Sequence, residues 1–281
     1  MAKRLSILLV IILGNIGVWS FVTAEEDGDV VKVYFLDVGQ GDAIFIEAPG
    51  GKQMLIDGGR DQSVLSELGK VMPFWDRSID IVLATHPDAD HIGGLTDVLE
   101  RYDVDVFIDS GNVGDTETYA YMEKLADEEG AEEIEAKAGQ VIWLGDDAYV
   151  AILFPDRDVS HVESNTASIV TQLNYGDTQV LLTGDSPQEI EWHLVATYGD
   201  ALQSEILKAG HHGSRTSTGA LFLERVSPEE VVISAGKDNR YGHPHKEVTD
   251  LVESFGAELV STAEEETIEY LLHPDGTFER K

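Results

Sequence analysis

The sequence predicts an α/β protein in which two β-sheets pack face to face, with helices on the outer side of each sheet. Each half of the chain opens with apolar, β-branched segments joined by tight turns, which indicates antiparallel strands. Each half then continues with strands that alternate with segments of helical periodicity. Metal-ligand side chains follow several strand ends, so we expect these side chains to gather along one edge of the sheets.

The first half begins with a strand over 30–36 and a turn-rich segment over 37–42. Strands over 43–47 and 53–56 should form an antiparallel hairpin, because Pro49-Gly50-Gly51 suits a tight reversal. We then predict a helix over 65–71, a strand over 79–84, a helix over 95–102, a strand over 104–108 and a helix over 116–128.

The second half repeats this organisation without repeating the sequence. Strands are predicted over 141–143 and 149–154, and a hairpin joins 168–175 to 178–182 across Gly176-Asp177. We then predict a helix over 187–198, a strand over 205–208, a helix over 221–226, a strand over 231–233 and a helix over 248–255. Terminal strands complete the chain.

A cluster of potential metal ligands follows the strand over 79–84. His86, Asp88, Asp90 and His91 fall within six residues, and imidazole nitrogen with carboxylate oxygen suits Zn²⁺ or Mn²⁺. On an extended loop alternate residues face opposite ways, so the first two could face one ion and the last two a second. A solvated turn is the alternative, but it does not require two histidines. The sequence has no cysteine, so His, Asp and Glu must hold any metal.

The first 24 residues differ from the rest of the chain. Lys3 and Arg4 precede an apolar run over 5–22, which ends in small residues up to Ala24. This pattern predicts a secretory signal peptide over 1–24, cleaved after Ala24; an uncleaved membrane anchor is the alternative. Either way we expect a secreted or extracytoplasmic protein, with any membrane association made through this segment. No linker interrupts 30–281, which we expect to be one domain.

The net charge is strongly negative, −34 from 53 acidic and 19 basic residues. Such a chain repels polyanions at long range, which disfavours broad electrostatic binding of nucleic acid. Much of the acidic excess lies over 115–135, which we interpret as a solvated helical face. Six of the 19 basic residues are concentrated over 205–246: Lys208, Arg215, Arg225, Lys237, Arg240 and Lys246.

Further motifs accompany the cluster in a fixed order along the chain. They are 35–42 (FLDVGQGD), 55–59 (LIDGG), 181–185 (LLTGD), 211–214 (HHGS) and 239–245 (NRYGHPH). With these motifs, the chain resembles the metallo-β-lactamase-fold superfamily. More narrowly, it resembles the hydrolase domain that ends the ComEC family of competence proteins, standing alone without the membrane channel. The resemblance runs from about Val30 to about Thr267 and implies a four-layer αββα fold for the domain over 30–281.

The resemblance also implies a set of metal ligands for one or two divalent ions, Zn²⁺ or Mn²⁺. His86 and Asp88 would hold the first ion, and Asp90 and His91 the second. Asp185 would bridge the two ions, and one residue of the pair His211 and His212 would complete the second site.

The first site departs from the superfamily pattern. Asp88 stands where histidine is commoner, and the third histidine of that site has no counterpart before Asp185. The nearest residues are Asn165, a poorer ligand, and His161. We therefore expect an oxygen-rich, weak first site that favours Mn²⁺ or partial occupancy.

Roles in catalysis and substrate binding follow from the same resemblance. Catalytic roles fall to Asp90 and to His243, which would donate a proton to the leaving oxygen or contact a phosphate. A phosphate-binding group would comprise Lys208, Ser214, Arg215, Asn239, Arg240 and Tyr241. Asp37, Asp42, Asp57 and Asn165 would orient the ligands without binding the metal themselves.

The function expected from these residues is that of a secreted, monomeric, metal-dependent phosphodiesterase, a nuclease that cuts DNA with a metal-activated hydroxide. One alternative is hydrolysis of another extracellular phosphodiester, such as phosphorylcholine on cell-wall polymers, or of a lactone or β-lactam. Another alternative is a catalytically weak, metal-binding protein of DNA uptake.

Overall fold

A computed structural model describes residues 29–281 of the chain. The expected signal peptide over 1–24 lies outside the described residues. Within 29–281, no helix combines the length and apolar character needed to span a bilayer.

Fifteen strands are formed by the described residues. They are β1 (Val31–Phe35), β2 (Ile44–Glu47), β3 (Gln53–Ile56), β4 (Ser78–Leu83), β5 (Asp103–Asp109), β6 (Glu132–Glu135), β7 (Val141–Trp143), β8 (Ala148–Phe154), β9 (Val170–Tyr175), β10 (Thr178–Leu182), β11 (Ile206–Lys208), β12 (Glu230–Ile233), β13 (Glu258–Ser261), β14 (Ile268–Leu272) and β15 (Phe278–Arg280). The α-helices of the same part of the chain are α1 (Ser63–Val71), α2 (Ala89–Leu99), α3 (Glu117–Glu129), α4 (Gln188–Tyr198), α5 (Ala220–Val226), α6 (Lys246–Phe255) and α7 (Thr262–Glu265).

The strands form two mixed sheets. One has the order β15-β14-β1-β2-β3-β4-β5-β6, and the other has the order β13-β12-β11-β10-β9-β8-β7. In the first sheet β3, β4, β5 and β6 run parallel, and in the second β10, β11, β12 and β13 do so. Parallel strands end at the same edge of a sheet, so the loops after β4, β10, β11 and β12 can meet.

Three apolar clusters hold the layers together. Between the sheets, side chains of the first sheet such as Ile46 and Met54 pack in one cluster with Leu173 and Val180 of the second. On the outer face of the first sheet, α1, α2 and α3 bury residues such as Leu68, Leu95 and Met122. On the outer face of the second, α4, α5 and α6 bury Leu194, Phe222 and Val252. The protein therefore has the expected four-layer αββα arrangement.

The structure corrects three details of the sequence prediction. Helix α2 begins at Ala89, six residues before the predicted 95, because helical hydrogen bonds already start at the Asp88 carbonyl. Residues Glu132–Glu135, expected to belong to an acidic helical stretch, form edge strand β6, whose charged side chains are mostly exposed. The final strands β14 and β15 return to the first sheet beside β1, so the two sheets do not correspond strictly to the two halves of the chain.

Candidate metal centre

The His/Asp cluster spans a short loop and the first turn of a helix. Strand β4 ends at Leu83, and the carbonyl of Asp88 accepts hydrogen bonds from the N–H groups of His91 and Ile92 at 2.9 and 3.0 Å. Asp90 and His91 therefore project from helix α2, and the expectation of an extended loop with alternating side chains is wrong for these two residues. A carboxylate in the first helical turn is stabilised by the helix dipole, which favours an ionised Asp90.

Glycines allow two other loops to pack directly on the start of α2. A Cβ atom on Gly94 would lie 2.0 Å from the carbonyl oxygen of Gly58, and one on Gly41 would lie 2.1 Å from that of Asp90. Only hydrogen fits in these spaces. Because the backbones approach so closely, the neighbouring carboxylates of Asp42 and Asp57 reach His91.

Asp57 orients both histidines of the cluster. Its carboxylate accepts hydrogen bonds from His91 Nδ1 at 2.7 Å and from the hydroxyl of Thr85 at 2.7 Å. Since the Thr85 hydroxyl gives its proton to Asp57, its oxygen accepts from His86 Nδ1, 3.0 Å away. Both imidazoles thus carry their proton on Nδ1, and both Nε2 lone pairs are free for a metal. Asp57 itself is fully buried behind the ligands.

The second sheet supplies the opposite wall of the centre. Asp185 lies just after β10, and His211 and His212 follow β11 in a tight turn. Both histidines have left-handed backbone, with φ of 49° and 55°. Such a conformation costs a non-glycine residue roughly 1–2 kcal/mol. His212 is held there by the carbonyl of Ser234 after β12, which accepts from its Nδ1 at 3.0 Å.

One oxygen atom, Asp185 Oδ2, lies at the centre of four imidazoles. The Nε2 atoms of four histidines surround it: His91 at 3.4 Å, His212 at 3.5 Å, His211 at 3.7 Å and His86 at 4.0 Å. Three of these Nε2 atoms, those of His86, His91 and His212, are buried without a hydrogen-bond partner. Buried polar atoms are normally paired, so three unpaired nitrogens directed at one carboxylate oxygen fit a cation-binding site.

The two ring nitrogens of each histidine define two sides of the centre. Asp42, His91, Asp185 and His212 each place a potential ligand atom within 4.8 Å of the others. Asp42, however, lies on the Nδ1 side, 3.3 Å from His212 Nδ1 and in contact with the Lys208 ammonium. Asp90 lies on the Nε2 side, 3.7 Å from His212 Nε2. We therefore assign Asp90 and Asp185 to the metal side and Asp42 to the supporting side.

Lys208 lies inside the protein, away from any substrate. Its side chain is fully buried, and its ammonium contacts Asp42, the carbonyl of Gly184 at 2.9 Å and Asp185 Oδ1 at 3.8 Å. The expected phosphate-binding role of Lys208 is not compatible with this position. A buried lysine needs such partners because the cost of removing a charge from water is large.

The charges of the centre's own residues favour a bound cation. Burial favours neutral imidazole, yet Asp185 and Asp42 raise the pKa of His212 to about 9, and Asp185 and Asp57 raise that of His91 well above its usual value. Burial also opposes ionisation of Asp185, but His212 and His91 hold its pKa well below the usual range. In contrast, burial lowers the pKa of His86 to about 3. A divalent ion can replace the protons on His91 and His212.

Two residues of the expected phosphate-binding group are engaged elsewhere. Ser214 is buried, and its N–H donates to the carbonyl of His211 at 2.8 Å. Arg215 is exposed, but it lies 3.5 Å from the Glu247 carboxylate, and its N–H donates to His245 Nδ1 at 3.1 Å. The Ser214 N–H is therefore not available to a phosphate, and the Arg215 guanidinium already lies beside a carboxylate.

The remaining residues of that group form the rim of the centre. Asn239 organises the turn by accepting from the N–H groups of Tyr241 and His243 at 3.1 and 2.9 Å. Tyr241 stacks on His243 with ring centroids 5.7 Å apart, and Arg240 lies over the Tyr241 ring at 5.0 Å. The His243 ring lies 5.5 Å from that of His211. Burial and the neighbouring histidines lower the pKa of His243 to about 4, which favours a hydrogen-bonding role over proton donation.

Three further residues of the sequence prediction lie around this core. Asp88 is half-buried, with Oδ2 3.8 Å from His86 Nε2. Asp37 accepts from the N–H of Gly39 at 3.1 Å and shapes the turn before Asp42. Asn165 places its side-chain nitrogen 3.4 Å from His211 Nδ1.

Sequence reasoning missed Glu191 of helix α4. Its carboxylate is buried and accepts from the N–H groups of Thr218 and of Gly219, the latter at 2.8 Å. The Thr218 hydroxyl in turn accepts from the N–H of Gly210 at 3.1 Å, directly before the two histidines. Glu191 thus fixes the loop that follows His211 and His212. Nothing in the local sequence distinguishes it from the other acidic residues of a surface helix.

The residues present fit a divalent cation. Their donor atoms are unpaired imidazole nitrogens and ionised carboxylate oxygens, which suit Zn²⁺, Mn²⁺ or iron without selecting between them. The tautomers of His86, His91 and His212 are fixed from behind, as is common for metal-binding histidines.

Comparison with known proteins assigns the chain to a superfamily. The sequence model of the metallo-beta-lactamase superfamily matches residues 36–237, and the chain belongs to that superfamily. Solved structures agree at the level of the fold. Igni18, a metallo hydrolase from Ignicoccus hospitalis, gives a TM-score of 0.51 at 17% identity, covering 89% of this chain and 98% of that one. CmlA, a diiron β-hydroxylase from Streptomyces venezuelae, gives 0.54 at 16% identity, covering 87% of this chain and 54% of that one.

The resemblance to ComEC-type competence proteins is also confirmed. The chain is 32% identical to ComE operon protein 3 of Bacillus subtilis (strain 168) over 85% of its own length and 33% of that protein. The chain spans about a third of the length of the curated relatives it matches.

Proposed function

We propose that the protein is a metal-dependent phosphodiesterase that cleaves DNA outside the cytoplasmic membrane. The observation that carries the hydrolase proposal is the ring of four imidazole Nε2 atoms around Asp185 Oδ2, with Asp90 beside it. The resemblance to competence proteins, a family of DNA uptake, supports DNA as the substrate.

A bound divalent ion would supply Lewis-acid stabilisation of a phosphate oxygen and activation of the attacking water. His86, His91, His212 and the carboxylates of Asp90 and Asp185 would hold the metal. Hydrogen bonds to Asp57 and to the Ser234 carbonyl hold the Nδ1 atoms of His91 and His212, which fixes the orientation of both rings. The protein thereby presents a preorganised centre to the phosphodiester.

The rim would bind the DNA backbone through few cationic groups. Of the three cationic residues in the expected phosphate-binding group, Lys208 is buried and Arg215 lies beside Glu247. The third, Arg240, has its guanidinium next to exposed Tyr241. Its pKa is raised by the hydrogen bond to Tyr241 and, among weaker influences, by Asp90. Arg240 can neutralise one phosphate, while the Tyr241 ring offers a surface on which a base can stack.

A direct test is to incubate the protein with plasmid, linear duplex and single-stranded DNA in Mn²⁺, Zn²⁺ or EDTA. We expect metal-dependent cleavage that EDTA and Asp90→Ala abolish. Asp97→Ala is the matched control, because Asp97 lies on the same helix but pairs with Arg101 at 2.8 Å. Cleavage should persist in molar salt, since few phosphates are neutralised and the repulsion from a net charge of −34 is then screened.

The same assay separates the substrate from the chemistry. Intact DNA together with cleavage of bis-nitrophenyl phosphate would reject DNA and retain the phosphodiesterase. A chain that cuts neither substrate with any of these metals would contradict the proposal.

A further inference from the structure

The first ion's site that the resemblance implies lacks its third histidine. The superfamily's third histidine of that site is absent from this chain, and Asn165 stands nearest to its place in the sequence. In the structure, the side-chain amide of Asn165 lies 3.4 Å from His211 Nδ1. The imidazole of His211 therefore occupies space next to the position that the absent histidine would fill.

The Nε2 atom of His211 faces the centre, as a ligand must. It lies 3.7 Å from Asp185 Oδ2, a separation common between two atoms that bind the same ion. Its Nδ1 lies 3.1 Å from the Thr216 hydroxyl, which donates to Ser214 Oγ at 3.0 Å and therefore accepts from the imidazole. The Asn165 Oδ1 atom is buried without a partner, and turning the amide by 180° lets this oxygen accept from Nδ1 as well. With its proton on Nδ1, His211 has a free Nε2 lone pair.

The carboxylates of Asp88 and Asp90 approach different imidazoles. Asp90 Oδ2 lies 3.7 Å from His212 Nε2, and Asp88 Oδ2 lies 3.8 Å from His86 Nε2. The His91 ring lies 4.1 Å from that of His86 and 5.2 Å from that of His212, and the resemblance assigns it to the ion beside Asp90. The ion beside Asp88 then has one imidazole, and His211 is the remaining histidine whose Nε2 faces Asp185 Oδ2.

We infer that His211 and His212 serve different metal ions. His211 completes the first ion's site with His86, Asp88 and Asp185, and His212 completes the second ion's site with Asp90, His91 and Asp185. The first site then has two imidazoles and two carboxylates. It is a full binding site, not the depleted one that the sequence alone indicated.

The inference rests on the metal centre of the proposed function but not on DNA, and its test uses no substrate. Mn²⁺ bound per chain is measured by elemental analysis after equilibrium dialysis, with dissociation constants from calorimetry. We expect two ions in the wild type and one in His211→Ala. Because His211 and Asp88 would serve the same ion, the double variant Asp88→Ala/His211→Ala should also retain one ion. The double variant His211→Ala/His212→Ala should retain none.

A rescue variant guards against general damage to the fold. In His211→Ala/Asn165→His, the new imidazole starts from the adjacent position and should restore the second ion. His161→Ala, which removes an exposed histidine shortly before Asn165, should still bind two. Two ions in His211→Ala with unchanged affinity, none in Asp88→Ala/His211→Ala, or one ion in the wild type would overturn the inference. Binding of no ion by the wild type would instead overturn the proposed function.

Discussion

The two walls of the metal centre are built differently. The wall from the first sheet is the His86–His91 segment, which is held by carboxylates and glycines packed against the start of α2. The wall from the second sheet is the His211–His212 turn, which has strained backbone and is held by contacts from Ser234 and from the loop that Glu191 fixes. Contacts from distant segments hold both walls, but only the second has left-handed residues, so its contacts must also offset backbone strain.

This difference predicts which residues matter for stability and which for metal binding. Residues behind the second wall should affect the free energy of unfolding strongly, because they offset strain and bury charge. Residues behind the first wall should act mainly on metal affinity, since they orient the rings of a segment, 86–91, that has no left-handed residue.

The largest effect is expected for Lys208→Met. Removing the ammonium leaves Asp42 buried without its cation, which should lower the free energy of unfolding by about 3–5 kcal/mol. Urea unfolding in EDTA measures this effect without a metal contribution. The double variant Lys208→Met/Asp42→Asn removes the stranded charge and should recover much of the loss; an equally unstable double variant would contradict this explanation.

Glu191 should give a pH-dependent contribution to stability. Burial raises its pKa from 4.5 to about 7 in the folded protein, against the two backbone hydrogen bonds that lower it. The folded state therefore binds more protons between these values, and the stability contribution present below pH 4.5 is lost as the pH rises through 7. Relative to Glu191→Gln, the wild type should lose about 2–3 kcal/mol between pH 5 and pH 8 in urea unfolding. Parallel pH profiles for the two proteins would show that Glu191 is ionised throughout.

Asp57→Asn should weaken metal binding about 10–100-fold while changing stability less than Lys208→Met does. The carboxylate accepts from His91 and the Thr85 hydroxyl on one oxygen and from the Thr85 N–H on the other, at 2.8 Å. An amide has a single acceptor oxygen and would direct its NH2 group at one of these donors, so the hydrogen bonds that fix the tautomers of both histidines are disturbed. Calorimetric titration with Mn²⁺ measures the affinity. Unchanged affinity would show that the tautomers do not depend on Asp57.

The smallest effect is expected at the rim, for Arg240→Ala. Loss of one phosphate contact should raise the KM for DNA a few-fold and reduce the slope of log affinity against log salt by about 1, with metal affinity unchanged. Arg225→Ala is the control, because Arg225 pairs with Asp200 at 2.6 Å on another part of the surface. A change in Mn²⁺ affinity in Arg240→Ala would place this residue in the metal centre instead.

The sequence predicted the fold and the identity of the ligand-rich segments because both follow local patterns. Strand periodicity, turn residues and the spacing of His86 to His91 act over a few residues. The first residue of helix α2, Ala89, could not be predicted from local patterns. The start of this helix packs through glycines against a segment some 30 residues earlier in the chain.

The positions of Lys208 and Glu191 could not be predicted. A lysine close to a histidine motif normally points to solvent, and only the packing of β11 between its neighbours buries Lys208 against Asp42. Glu191 contacts Thr218 and Gly219, some 27 residues away in sequence. The positions of the His211 and His212 rings likewise depend on left-handed backbone and on partners far along the chain, Asn165 and Ser234.

The most direct test of the metal centre is anomalous diffraction from crystals grown with Mn²⁺, compared with crystals grown in EDTA. We expect an anomalous peak within coordination distance of Asp185 Oδ2 and of the Nε2 atoms of His91 and His212. A peak on the opposite side, between Asp42 and the Nδ1 atoms, or the absence of any peak near Asp185, would contradict the assignment of the metal to the Nε2 side.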